Sequence, residues 1–371
     1  LVTLALVIVA CGLGQGPAPT AAPAQSPTSA PQTPAAGQLC GDNVCDAAEQ
    51  ADPSLCPGDC PASGGATTAA PTAGPTSAQL PAELTFIPDP GIRIEMASQP
   101  APVVAADGTI YVFYTTRSVL PNEPSSNEAA HSADGLNFTE TGLDLDSLSL
   151  INPHAVKLAD GTWRSYRFDS RTGVMTSQSS TDGIHFTADD GVRYTAPSDH
   201  PPIGIWDEYV NPAGDVILLY IGPIGVNSPD HHIRRAVSTD GGWTFTFHSD
   251  NVLGDRGGGE TNTHVDQKFI VLPDGSARLF TMFQGNAAIP GERSCCTIYS
   301  FTTPDGYTFE QDPGPRLQAG DFTEFVVWSL NDPWVIRLPD GRYRLYVAGL
   351  VTDGTSDKAK WAVLSATTPG E

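Results

Sequence analysis

From Pro81 onward, short apolar runs alternate with polar positions and break at pairs of Asp and Gly. Five segments share this form: "PVVAADGTIYVFYT", "AVKLADGTWRSYRF", "VNPAGDVILLYIG", "FIVLPDGSARLFTMF" and "WVIRLPDGRYRLYVAG". Period-two alternation on both sides of a two-residue Asp-Gly turn predicts a β-hairpin in each. The turn acids Asp107, Asp160, Asp215, Asp274 and Asp340 are spaced 53, 55, 59 and 66 residues apart, a repeat long enough for four strands.

A second unit is interleaved with the first: "HSADGLNFTE" around Asp134, "SSTDGIHFTAD" around Asp182, "VSTDGGWTFTF" around Asp240 and "TTPDGYTFEQD" around Asp305. Each follows its partner hairpin by 22 to 31 residues, so one repeat holds two hairpins. Such units bury their faces only against one another, and they predict an all-β domain over 81–371, a five-bladed β-propeller with four-stranded antiparallel blades. The last repeat ends at its third strand, "KAKWAVLSATT", and the alternating segment "GIRIEMAS", Gly91 to Ser98, is expected to supply the fourth and close the ring.

The first 80 residues have a different character. "LVTLALVIVACG" is too short to span a bilayer and suits the apolar core of an export signal. Residues 12–39 and 61–80 are Pro, Ala, Thr, Ser, Gly and Gln with few large apolar side chains, which predicts extended linkers. Between them, residues 40–60 hold Cys40, Cys45, Cys56 and Cys60, read as two disulfides of undetermined pairing. Asp42, Asp46, Glu49 and Asp59 in the same island either hold a calcium ion or solvate a stapled knot. Cys295 and Cys296 are adjacent and are expected to form a vicinal disulfide, with free thiols as the alternative.

A net charge of -23 with only 19 basic residues argues against a nucleic-acid partner. Neutral glycans, calcium and proteins stay open as partners, and the chain is expected to be a monomer.

Three resemblances follow from these residues. "IVAC", Ile8 to Cys11, resembles the lipobox of bacterial lipoproteins, which implies lipid on Cys11, a membrane attachment through that lipid alone and a place outside the cytoplasm at the cell envelope. The island resembles small "CGDGxCxxxE…CPxDC" modules of secreted bacterial proteins. "STDGGWTF", Ser238 to Phe245, resembles the Asp box of sialidases and other propellers, and that likeness implies a scaffolding turn between the outer two strands, so Asp134, Asp182, Asp240 and Asp305 are read as structural.

The innermost strand of each blade opens on the central tunnel, and alignment on the turns makes Gln99, Asn152, Asp266 and Asp332 equivalent. "IWDEYVNPAGD" adds Asp207 and Glu208. Converging carboxylates are what glycoside hydrolysis requires, one protonated and one ionised. "NDPWVIRLPDGRYRLY" resembles the propeller glycosidases related to glycoside hydrolase family 43. That resemblance implies an orienting role for Asp207 and an acid at Asp266, with Asp332 a further pocket carboxylate and Glu260 in "GGGETNTHVD" a competing acid. It also implies a base where Gln99 stands, and Gln99 takes no proton. A sialidase-like site would draw on Arg117, Arg234 and Arg235. Trp206 and Trp334 either stack on sugar rings or fill blade cores, and His154 and His264 either line the tunnel, holding calcium or a sugar hydroxyl, or are satisfied polar side chains. Two functions are therefore expected: a cell-surface carbohydrate-active enzyme, or a non-catalytic propeller that binds a glycan or a protein.

Overall fold

The computed structural model describes residues 84–117, 125–169, 171–223, 231–254, 264–284, 296–352 and 359–370. The export signal, both linkers and the cysteine island lie outside them, as do Cys11, Cys40, Cys45, Cys56, Cys60, Asp42, Asp46, Glu49, Asp59, Glu260 and Cys295. No helix among the described residues is long and apolar enough to cross a membrane.

The described chain is all-β and forms five antiparallel sheets. Two short strands come first, β1 (Ile87–Pro88) and β2 (Ile94–Glu95). Blade I is β3 (Ala97–Val104), β4 (Ile110–Thr116), β5 (Asn127–Ser132) and β6 (Thr139–Glu140). Blade II is β7 (Ala155–Lys157), β8 (Trp163–Asp169), β9 (Val174–Ser180) and β10 (Thr187–Ala188), with β11 (Tyr194–Thr195) also on β9. Blade III is β12 (Gly204–Val210), β13 (Val216–Pro223), β14 (His231–Ser238) and β15 (Thr246–Ser249). Blade IV is β16 (His264–Val271), β17 (Ala277–Phe283), β18 (Thr297–Thr303) and β19 (Glu310–Gln311). Blade V is β20 (Val326–Arg337), β21 (Tyr343–Thr352) and β22 (Lys360–Thr367).

The fourth place in blade V is filled from the other end of the chain. Ile87 and Pro88 pair with Thr367 and Ala366, and Ile94 and Glu95 with Val363 and Ala362. Closure thus begins earlier than Gly91, and Ala97 and Ser98 already belong to blade I. The hairpin turns also differ from the expected two-residue form. A two-residue I′ turn needs positive φ at both central residues. Here only Gly108, Gly161, Gly214, Gly275 and Gly341 have it, at 86 to 89°, and each Gly closes a longer turn. In blade I, Gly108 N–H donates to Ala105 O and Asp107 accepts from Thr109 N–H at 2.9 Å. In blade III, Gly214 precedes Asp215, so Gly marks the repeat and the acid does not.

The four Ser/Thr-x-Asp-Gly turns join the third and fourth strands, as expected of scaffolding. In blade III, Asp240 accepts hydrogen bonds from Ser238 Oγ (2.6 Å), Trp243 N (3.0 Å), Thr244 N (3.0 Å) and Thr244 Oγ1 (2.6 Å). Desolvation is the largest single influence and raises the carboxyl, but the four donors together outweigh it and bring it down to about 2. The folded value lies below the unfolded one, so this stabilisation is present above about pH 4 and fades as pH falls towards 2. Because the carboxylate is exposed, Asp240→Ala is expected to cost roughly 1 kcal/mol. Denaturation of the variant checks the cost, and loss of function per folded molecule would remove Asp240 from the scaffold.

Three of these turns, those of Asp134, Asp240 and Asp305, also dock on the preceding blade. Arg344 Nη1 donates to Asp134 O at 2.6 Å and Tyr346 OH to Gly135 O at 3.0 Å, joining blade V to I. Arg164 Nη1 donates to Gly241 O at 2.6 Å and Tyr166 OH to Gly242 O at 3.2 Å, joining II to III. Arg235 Nη1 donates to Tyr307 O at 2.8 Å and Asn211 Nδ2 to Asp305 O at 2.9 Å, joining III to IV. At the IV–V joint the N-terminal segment stands in for a turn: Arg316 Nη1 donates to Leu84 O, and Phe86 packs edge-on against Phe280.

Candidate functional site

The site is built on the first strands of the blades. Gln99, Asp266 and Asp332 have φ of 53°, 53° and 51°, a left-handed conformation uncommon for residues with a Cβ. Each lies at a break in the pairing of the first and second strands, between Ser98 and Ala101, Val265 and Lys268, and Asn331 and Trp334. These are β-bulges, which re-aim side chains. Counting back from the turn glycines, the equivalent residue of blade III is Ile205, with φ of 30°, and that of blade II is Asn152. Asn152 sits ahead of the three-residue β7, where Asn152 Oδ1 accepts from His154 N–H at 2.8 Å.

The bulges are wired to one another. Asp266 Oδ2 accepts from Asp332 N–H at 3.3 Å, and Asp332 Oδ2 accepts from Gln99 N–H at 3.2 Å. Blade I ends this relay, because Gln99 Oε1 turns back to accept from Thr115 Oγ1 at 3.0 Å in its own blade. Desolvation raises both carboxyls, and the charge of Asp332 raises Asp266 further. Neighbouring carboxylates in one partly buried site resist holding two charges at once, so the pair tends to keep one proton.

Two residues further along each strand lies a second tier: Ala101, His154, Asp207, Lys268 and Trp334. Lys268 Nζ is 3.1 Å from Asp207 Oδ1, 3.2 Å from Trp206 O and 4.4 Å from the centre of the Trp334 ring. His154 meets the Trp334 ring edge-on at 5.0 Å. Because blade I contributes only Ala101 here, Trp334 extends across to His154. The protein bulk around His154 and the Lys268 charge lower its imidazole. Asp207 Oδ2 also accepts from Phe269 N–H at 2.5 Å. Burial raises the Asp207 carboxyl, and Lys268 and that amide hold it back.

Other expected site residues fall elsewhere. Glu208 is buried, and desolvation followed by the charge of Asp207 raises it well above the usual range. The buried Trp206 Nε1 lies close enough to oppose that shift, yet neither it nor Glu208 Oε1 completes a hydrogen bond of good geometry. Trp206 packs into the blade II–III core, 6.4 Å from Phe168, so of the two tryptophans only Trp334 belongs to the ring. His264 does not line the tunnel: it is buried among Phe283, Tyr299 and Phe301, with Nδ1 2.8 Å from Thr281 Oγ1. The bulge at Asp266 separates it from the ring.

The three arginines of a sialidase-like site do not converge. Arg234 is tied to Asp250 (2.7 Å) and to the Pro201 and Pro223 carbonyls, and Arg235 to the Tyr307 turn. Arg117 alone lies near the ring, its Nε donating to Ser98 Oγ at 2.6 Å and its charge acting on Asp332. Lys268 is the cation that motif reading passed over. Lysine on a strand ordinarily signals a solvated face, and only its register with Asp207 and Trp334 marks it.

Among the described residues no group of three or more His, Cys, Asp or Glu is arranged to hold a metal ion. A cavity of about 430 Å³ lies apart from the ring, lined by Ala319, Gly320 and residues 322–327. It offers one carboxylate, Glu324, which accepts from Gly91 N–H at 2.7 Å. The clustered carboxylates, Lys268 and Arg117 lie at the ring, not there.

No family model matches the chain, and no curated protein matches it. Solved structures do. A thermostable family-43 glycoside hydrolase aligns at 13% identity over 77% of this chain and 93% of its own, with a TM-score of 0.50. The catalytic domain of a GH62 α-L-arabinofuranosidase from Coprinopsis cinerea aligns at 15% identity over 78% and 98%, also with a TM-score of 0.50. An N-acetylgalactosamine deacetylase from F. plautii, in complex with blood group B trisaccharide, aligns at 15% identity over 76% and 95%, again at 0.50. At such identities the likeness is one of fold: this chain is a five-bladed propeller with structural neighbours among glycoside hydrolases of families 43 and 62.

Proposed function

We propose that this protein acts on glycans at the cell envelope, as a glycosidase-like propeller whose reactive pair is Asp266 and Asp332. The observation that carries the reading is the placement of these two carboxylates at equivalent, linked bulges, Asp266 Oδ2 accepting from Asp332 N–H at 3.3 Å, where burial and mutual charge favour one shared proton. Glycoside hydrolysis uses such a division: the protonated member, Asp266, gives its proton to the leaving oxygen, and the ionised member, Asp332, serves the incoming water or the sugar carbon. Asp207 is engaged by Lys268 and Phe269, so it acts by holding the cation in place. Gln99, His154 and Trp334 offer amide, imidazole and aromatic contacts to a sugar, while Asn152 is held by its own loop and the Gly183 carbonyl.

A non-catalytic, glycan-binding propeller is the second reading, and one observation favours it. Asp266 and Asp332 each accept a neighbour's backbone amide, and the third equivalent position is Gln99, which carries no charge. The neighbours themselves include glycosidases and a deacetylase, so the fold does not choose the reaction. A hydrolysis and binding screen of the full chain against plant, microbial and sialylated glycans separates the two. Product from the parent that is lost in Asp266→Asn and Asp332→Asn is the expected result. Binding without product would establish recognition alone, and neither would end the glycan assignment.

A further inference from the structure

Strand alternation gives each blade's second strand two faces, one towards each neighbouring blade. Arg344, Tyr346 and Ala348 of β21 meet Ile110, Val112 and Tyr114 of β4, and all six are buried. Arg164, Tyr166 and Phe168 of β8 meet Val216, Leu218 and Tyr220 of β13, and these are buried too. Ile217, Leu219 and Ile221 meet Ala277, Leu279 and Thr281, while Arg278, Phe280 and Met282 meet Tyr343, Leu345 and Val347, with no exposed member.

The remaining pair of faces is different. Blade I turns Tyr111, Phe113 and Thr115 towards blade II, and all three are half-exposed. Blade II answers with Trp163, half-exposed, Ser165, small and buried, and Arg167, which is exposed in the middle of a central strand. None of the three hydrophobic clusters joins blades I and II among the described residues. The docking turn is missing as well. Where β21 and β8 carry Arg and Tyr, β4 carries Tyr111 and Phe113 at the same distances from the turn glycine. The Asp182 turn consequently stays with its own blade: Gly183 O accepts from Asn152 N–H at 3.1 Å, and a side chain at Gly183 would meet Trp163. At the other turns it would meet Arg344 and Tyr346, Arg164 and Tyr166, or Ile217 and Tyr209 of the preceding blade. The bulge relay also stops at Gln99, on the blade I side of this joint.

We propose that the joint between blades I and II is the hinge at which the ring opens, and that the closure between the chain's two ends in blade V is not. The V–I closure is held by the Arg344 and Tyr346 docking contacts, by Arg93 Nη1 donating to Leu136 O at 2.8 Å, and by the Arg344–Asp89 ion pair at 3.3 Å. Hinging is cheapest where little apolar surface and few hydrogen bonds are lost. Opening here widens the ring between Gln99 and His154, on one side of the carboxylate pair, so it regulates access to the site whatever ligand the site takes.

Spin labels carried by unnatural amino acids test this on the full chain. Ala106 and Ala159 occupy the same exposed turn position in blades I and II, as Pro273 and Pro339 do in IV and V. The distance distribution across I–II is expected to be roughly twofold broader than across IV–V, as for a hinge against a packed interface. Equal widths, or a broader distribution between Ala106 and Pro339 across V–I, would overturn the proposal. Hydrogen exchange on the unlabelled protein gives a second reading: amides of β7 and β8 are expected to open at lower urea than those of β21 and β22, and the reverse order would overturn it too.

Discussion

Replacing Asp332 by asparagine is expected to make the folded protein more stable at neutral pH and, on the glycosidase reading proposed above, to remove hydrolysis. The two effects have one origin. Burial raises both carboxyls, so between the unfolded value near pH 4 and the folded values the native state holds more protons than the unfolded chain. Stability therefore falls as pH rises through that window. The substituted amide keeps an acceptor for Gln99 N–H but carries no charge, which removes one titration and relieves Asp266 of its neighbour. The gain at pH 7 is expected on the order of 2 kcal/mol, shrinking to nothing below about pH 4. Activity on a glycan cleaved by the parent is expected to fall by roughly 10²- to 10⁴-fold. Urea melts of both proteins from pH 4 to 8, with rates on the same samples, check the pair of effects. A variant that is stabilised yet fully active would take Asp332 out of the chemistry. A variant with unchanged pH dependence would remove the shared proton.

Arg344→Ala is expected to be the most damaging single change outside the ring. The guanidinium is almost fully buried. It donates to Asp134 O (2.6 Å) and Thr367 Oγ1 (2.7 Å) and pairs with the nearly buried Asp89. Truncation leaves the Asp89 carboxylate its Ser365 and Thr367 hydroxyls but no counter-charge, strands a turn carbonyl and unfastens blade I from blade V. Breaking a buried pair in this way costs about 3 to 5 kcal/mol. Arg167→Ala, on the exposed face of blade II, is expected within about 0.5 kcal/mol of the parent. Equal effects of the two in urea denaturation would contradict the ranking of the joints.

The propeller was legible because Gly-marked turns and period-two alternation recur at every blade. Equivalence of Gln99, Asp266 and Asp332 could also be read by alignment, and the three share one backbone conformation. Asp207 was placed in their company only because blade III reverses Asp and Gly at its turn. Counted from Gly214, it belongs to the tier of Lys268 and Trp334. Lys268 and the burial of His264 left no local signal, since each depends on which way a strand faces after its bulge. The hinge left a trace that takes a structure to interpret: Tyr111 and Phe113 where other blades carry Arg and Tyr.

The pairing of Ile87 with Thr367 has a consequence for biogenesis. The first strand of the domain finds its partner only in the last one to be synthesised, so the segment that seats Leu84 and Phe86 waits unpaired while four blades assemble ahead of it. Such a long-range final contact makes completion slow and leaves an open sheet edge on the unfinished chain. A ribosome that releases the strand Lys360–Thr367 late thereby sets the moment at which the ring can first be closed.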